Sequence, residues 1–212
     1  VLAYYTGLRT FPGMEPDGSQ DLDLPPSEGT CSGFAAWGKE TRDRSLIVGA
    51  NGDHQMYDPA GFGSGSFGPD FVAMFYPEDG HKFMFSQLLH HILHPAMNDK
   101  GVCYVHHAGG SGGNGPIPGY GVPSEFRTWN ALRYTEDAVT AKDMVVGLGG
   151  KGIWADIHGN AFAIECTNPL AIREPGHAGE KNFIYAANNT IHRDLRDFQE
   201  PDPEMGLYYV PH

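Results

Sequence analysis

Two stretches decide how this chain folds: Cys31-Ser32-Gly33-Phe34-Ala35-Ala36-Trp37-Gly38 and Leu46-Ile47-Val48-Gly49-Ala50-Asn51-Gly52-Asp53. Ser32–Trp37 mixes small and aromatic residues and reads as a strand, Thr41–Ser45 as a polar turn, and Leu46–Gly49 as a second strand ended by Asn51–Asp53. An antiparallel hairpin returns the chain to its origin. Cys31 and Asp53, 22 positions apart, are therefore expected close together, a thiol at the start of one strand and a carboxylate at the return of the next.

Outward from this hairpin the chain alternates short apolar runs with glycine- and proline-rich connections. Residues 11–30 and 108–123 read as exposed connections and 58–70 as a glycine-rich loop. Phe71–Tyr76 is a β-forming run, Pro77–His81 a turn and Lys82–Phe85 the returning strand. Gln87–His94 reads as a short helical turn that Pro95 stops. Asp99–Gly101 is a turn before the apolar strand Val102–Val105. Ser124 is placed to cap a helix over about Glu125–Tyr134, and Thr140 with Asp143 resembles a capping box for a second. Gly152–Ile157 and Ala161–Cys166, joined by His158-Gly159-Asn160, form a further hairpin, and Phe183–Ala187 is a strand ending at Asn188-Asn189. Many short strands around a central helical pair imply an α+β protein with packed antiparallel sheets. No internal repeat is present.

Composition narrows the classes. The chain has 212 residues, enough for a real core, and a 40% hydrophobic fraction excludes a disordered or collagen-like polymer. No apolar run reaches the 18 residues of a membrane span. With 14 Lys and Arg against 26 Asp and Glu, the formal net charge of −12 argues against nucleic acid as a partner. The three cysteines, Cys31, Cys103 and Cys166, are an odd number, so one thiol at least stays free, and no CxxC suggests a zinc knuckle or a redox motif. Cys103 and Cys166 lie in apolar runs and read as core, whereas Cys31 opens a new patterned segment after a polar, proline-containing stretch.

These residues resemble the N-terminal-nucleophile hydrolases with a cysteine nucleophile, on the branch of acyl-coenzyme A:6-aminopenicillanic acid acyltransferase (peptidase family C45). Penicillin V acylase, choloylglycine hydrolase and acid ceramidase are more distant relatives. The resemblance is spread over residues 31–192. Cys31-Ser32 with the Gly49–Asp53 turn resembles the family's start, and Met97-Asn98-Asp99-Lys100-Gly101-Val102 its Met-Asn-Glu-Lys-Gly segment. Asp156 to Glu165 resembles its Asp-x-x-Gly-Asn…Glu hairpin, and Asn188-Asn189 its asparagine segment after a strand.

The resemblance implies a four-layer αββα sandwich of antiparallel sheets, incomplete here at the C-terminus, where a later family Arg has no counterpart. It implies residues 1–30 as a propeptide or small α-chain segment and 31–212 as the catalytic domain. Cleavage between Thr30 and Cys31 would turn a zymogen into an amidohydrolase or acyltransferase acting on a linear carbon–nitrogen amide through a thioester. Cys31 would be nucleophile and, through its α-amine, base, since such an amine titrates at about 7.7–8.0. Asp53 would orient that amine, and Asn189 or Asn188 would donate to the oxyanion. The implied partner is a small-molecule amide substrate, with no cofactor and no metal; association of the cleaved chains and a homo-oligomer are both compatible with it. The family's Arg beside Asn51 is Ala50 here, which leaves an inactive relative, a binding or assembly module, as the competing reading.

Each residue also has a plainer reading. Cys31 reads alternatively as a buried strand-initial cysteine, Asp53 as a turn carboxylate, and Asn188-Asn189 as a strand-ending turn within the sequon Asn188-Asn189-Thr190. Asn98 reads as the holder of a tight turn before Gly101. Eleven histidines raise a third class, a histidine-rich metal binder. His90 and His94 have zinc-motif spacing, but His91 stands where the general-base Glu belongs. Gly109–Gly113 and Gly147–Gly152 lack the Lys-Ser/Thr of a phosphate loop. The sequence assigns no compartment.

Overall fold

The computed structural model describes residues 31–52, 71–88, 91–107, 124–145, 151–167, 170–187 and 191–192. Within them the chain is α+β. Strands β1 (Cys31–Ala36) and β2 (Ile47–Gly52) form the expected hairpin around a 3-10 turn at Gly38–Glu40. Then follow β3 (Phe71–Phe75), β4 (Phe83–Leu88), β5 (His91–Asn98), β6 (Val102–His106), α1 (Ser124–Tyr134), α2 (Ala138–Val145), β7 (Gly152–Asp156), β8 (Ala161–Thr167), β9 (Leu170–Arg173) and β10 (Phe183–Ala187). Two antiparallel sheets result, one of three strands in the order β10-β1-β2 and one of seven running in sequence from β3 to β9.

The helix pair packs on one face of the large sheet. Ala131, Leu132, Ala138, Ala141 and Val145 meet Phe83, Phe85, Val102, Tyr104, Trp154, Phe162 and Ile164 in one apolar cluster. Trp129 fits among the rings of Phe75, Phe83 and Phe85, with centroids 5.1–5.6 Å away. Each large apolar side chain buried this way contributes about 1.5–3 kcal/mol. The small sheet covers the other face, and that interface is built of small residues: Ala35, Ala155, Ala163 and Ala186 with Val105, Ile153 and Ile184. Small side chains let two sheets approach closely. A Cβ on Gly33 would lie 2.5 Å from Val105 Cγ1, so the backbone of β1 rests directly on β6. Residues of alternate parity on β1, β2 and β10, among them Phe34, Ile47 and Tyr185, are exposed.

The structure departs from the sequence expectations in several places. Gln87–His94 is not a helical turn: Gln87 and Leu88 end β4 and His91–His94 begin β5. The pairing of these strands shifts register between Phe85 and Gln87, and Pro95 sits opposite that irregularity, where a strand tolerates a residue with no N–H. The α2 cap is not Thr140. Asp137 stands outside the helix and its Oδ1 accepts the Thr140 amide at 2.7 Å, so Thr140 is the third helical residue. Asn51 and Gly52 extend β2 rather than break it. Strand β9 had no counterpart in the sequence reading.

Candidate functional site

The candidate site is the end of the sandwich where β1 begins. Residues of β1 pair on both sides: Cys31 with Gly52 and Ser32 with Asn51 on β2, Ser32 with Ala187 on β10. The start of the central strand therefore lies between the ends of its two neighbours. Asp53 follows Gly52 directly and Asn188 follows Ala187 directly. Asp53, Asn188 and Asn189 themselves lie outside the described residues, as do His90 and the glycine runs 109–113 and 147–150; Cys31 is described as the first residue of β1.

The large sheet supplies the floor. Gly33 stands over Val105, near the end of β6, whereas Trp37, beyond the other end of β1, packs on Gly159 in the β7–β8 turn. Strand β1 thus runs opposite to β6, and its first residue points back towards the His106 end of that strand. His106 pairs with Gly152, and Gly152 with Ile164, so the end of β6, the start of β7 and the latter part of β8 lie at this same end. Tyr104 donates its hydroxyl to the Lys151 carbonyl at 2.7 Å and lies 3.2 Å from His106 Nδ1, tying β6 to the chain entering β7. His107, just past β6, is buried.

Buried charge is concentrated nearby. Glu165 on β8 accepts Arg173 Nε through Oε1 at 2.5 Å, and its Oε2 accepts the backbone amides of Ile191 and His192 at 2.8 and 2.7 Å. Arg173 also pairs with Glu180 and donates to the Tyr185 carbonyl on β10. Glu180 Oε2 accepts the amides of Gly176 and Ala178. Arg173 and Glu180 were not singled out from the sequence. The only signal was a cation ending the apolar run Leu170-Ala171-Ile172, which is weak because most such residues face water.

Other residues of the quoted motifs are structural. Asp156, fully buried at the opposite end, accepts the amides of His158, Asn160 and Ala138 and the Asn160 side chain, all at 2.8–3.0 Å. Asn98 holds the turn before Gly101, as expected, and does more. Its Oδ1 accepts the Lys100 and Val102 amides while its Nδ2 donates to the carbonyls of Leu132 and Thr135 at the end of α1. Cys103 is buried and free, and burial, with the Asp156 carboxylate adding, pushes its thiol up to about 12. Ala50 packs against the inter-sheet cluster. Among the described residues no three His, Cys, Asp or Glu are grouped to hold a metal ion, and no helix is long and apolar enough to cross a membrane. No protein-family model matches the chain, and no curated protein matches it.

Proposed function

We propose that this chain is a self-processing cysteine amidohydrolase or acyltransferase of the N-terminal-nucleophile type, with Cys31 as nucleophile. One observation carries the reading: the first residue of the central strand β1 pairs with Gly52, and its second with Ala187. In sequence Asp53 comes directly after Gly52, and Asn188-Asn189 directly after Ala187. A nucleophile, a carboxylate and an amide donor are the parts that acyl transfer needs. The helix pair packs on the large sheet and the small sheet covers its other face, an arrangement compatible with the four-layer αββα sandwich proposed for the whole domain.

In this reading the Cys31 thiol attacks the Thr30 carbonyl carbon. The C–N bond breaks as the C–S bond forms, and the thiol proton ends on the released α-amine. Water hydrolyses that thioester and frees residues 1–30. The exposed amine then takes the thiol proton in each turnover, and the thiolate attacks a substrate amide. The leaving amine departs with the proton, and water or an acceptor amine resolves the acyl-enzyme. Asp53 orients the amine and Asn189 or Asn188 donates to the oxyanion; one such donor contributes roughly 3–4 kcal/mol to lowering the barrier. Substrates are small linear amides, and neither metal nor cofactor takes part.

Cys31→Ala tests this: the variant is expected to keep its fold and remain one uncut chain with no amidase activity, while wild type is cut before residue 31. Ala50 favours a second reading, a binding or assembly module on the same scaffold, because it stands in the sequence where the resembled family has an Arg before Asn51. That reading expects an uncut chain whose Cys31 is inert to iodoacetamide at neutral pH.

A further inference from the structure

Methionine usually fills gaps in a core. Three of the seven in this chain stand instead in one row on an open sheet face. Directly paired residues of adjacent antiparallel strands project to the same face. Met74 on β3 pairs with Met84 on β4, and Met84 pairs with Met97 on β5. Their neighbours along the strands, Ala73, Phe75, Phe83, Phe85 and Ala96, pack into the cluster under the helices, so the three thioethers project to the opposite face. The small sheet lies on that face, but the cluster joining the two sheets draws on β6, β7 and β8 and on no residue of β3, β4 or β5. The row stays open to solvent: Met74 is 63% exposed, Met84 44% and Met97 37%. Core packing therefore does not account for these side chains. Cys103 pairs with Met97 and continues the row into β6, but it is buried and its thiol donates to the Gly101 carbonyl.

We propose that Met74, Met84 and Met97 form a thioether site for a soft monovalent cation, copper(I) in chemistry, with silver(I) as its redox-inert stand-in. Adjacent strands lie about 4.8 Å apart, so each outer side chain has one strand spacing to cross to meet the others above Met84. Three rotatable bonds in each side chain let the sulfurs converge. Thioethers select soft ions, whereas magnesium and calcium take oxygen donors and zinc takes thiolate, imidazole or carboxylate. Among the described residues no three His, Cys, Asp or Glu are grouped to supply such a set. Tyr76, just past β3, donates its hydroxyl to Met74 Sδ at 3.6 Å, which orients that thioether and leaves its second lone pair for a metal. Lys82, two residues before Met84, holds its ammonium 5.6 Å from the centre of the Tyr76 ring. A positive charge beside the row opposes a divalent ion twice as strongly as a monovalent one. The site takes no part in the chemistry proposed for Cys31.

The test is a silver nitrate titration of the full chain, with isotope-labelled methionine methyl groups followed by NMR and accessible thiols first blocked by N-ethylmaleimide. The methyl signals of Met74, Met84 and Met97, assigned by Met→Leu replacement at each position, are expected to move together and to stop moving at one equivalent. Zinc sulfate is expected to move none of them. Leucine is close to methionine in volume and polarity, so the exposed replacements keep the fold. In Met84→Leu the Met74 and Met97 signals are expected to need at least about tenfold more silver, since even partners outside the ligand shell change metal affinity roughly 10–100-fold. If Met84→Leu lacks the native tryptophan fluorescence, Met97→Leu is read in its place on the Met74 and Met84 signals. Signals that do not move with silver overturn the site in favour of an apolar docking surface. Signals that move independently, with the Leu variant leaving the remaining two unchanged, overturn it in favour of isolated thioethers. An equal response to zinc overturns the soft-ion assignment, and failure of both variants to fold overturns the site in favour of a purely structural row.

Discussion

At the scale of single residues, burial decides what a thiol can do. Cys103 is buried on β6, and desolvation, with the Asp156 carboxylate adding, pushes its thiol up to about 12. At pH 7 its thiolate fraction is on the order of 10⁻⁵, so it is an inert core residue. The account predicts that iodoacetamide at neutral pH modifies Cys31 and spares Cys103, read by peptide mass; equal labelling of the two in the folded protein would contradict it. Linkage has a definite sign here. The folded thiol stays protonated after the unfolded one ionises, so the contribution of Cys103 is present below the unfolded pKa of about 8.5 and is lost as pH rises towards the folded value. Cys103 was recognisable as core from the apolar run around it. The roles of Arg173 and Glu180 were not recognisable, because a buried ion network is defined by partners far apart in sequence.

At the scale of elements, the helix pair depends on polar contacts at its ends. Asn98 joins the β5–β6 turn to the end of α1 through two accepted and two donated hydrogen bonds, and it is buried. Asn98→Asp keeps the acceptors but turns the donors into a carboxylate facing two carbonyls. It is expected to lower stability by about 2–4 kcal/mol, as much as Asn98→Ala, in urea unfolding. A loss below about 1 kcal/mol for both variants would refute the latch. Asp137 caps α2, and its hydrogen bonds from Thr140, backbone first and hydroxyl second, hold its carboxyl below the usual range. Asp137→Ala should cost about 1 kcal/mol and Asp137→Asn much less. Because the folded pKa is depressed, the ionised cap stabilises above the unfolded value and that contribution is lost as pH falls through the folded one. Asp137→Asn should flatten the acid limb of the stability–pH curve. Most strand hairpins were readable from alternation, and the first helix, expected over about Glu125–Tyr134, spans Ser124–Tyr134. The cap of α2 was misassigned because Thr140 and Asp143 mimic a capping box, and β4–β5 was misread because Pro95 looks like a helix stop when its pairing irregularity cannot be seen in sequence.

At the scale of the molecule, the two-sheet architecture follows from where small residues fall. Gly33, Ala35, Ala155, Ala163 and Ala186 let the small sheet lie close on the large one, while the aromatic side chains gather under the helices. The α+β class and the antiparallel hairpins were readable from local pattern; the layering was not, since it depends on which faces meet. The site's topology was half readable. A hairpin must return its chain to its start, so the approach of β2 to Cys31 could be anticipated, but the arrival of β10 on the other side depends on a partner some 155 positions away and appears only in the fold. The account's central claim is that this convergence makes Cys31 a self-exposing nucleophile. Intact-mass measurement of the purified full chain tests it most directly: the account predicts a species that begins at Cys31 together with, or without, the released residues 1–30, and a single uncut chain in a catalytically active sample would contradict it.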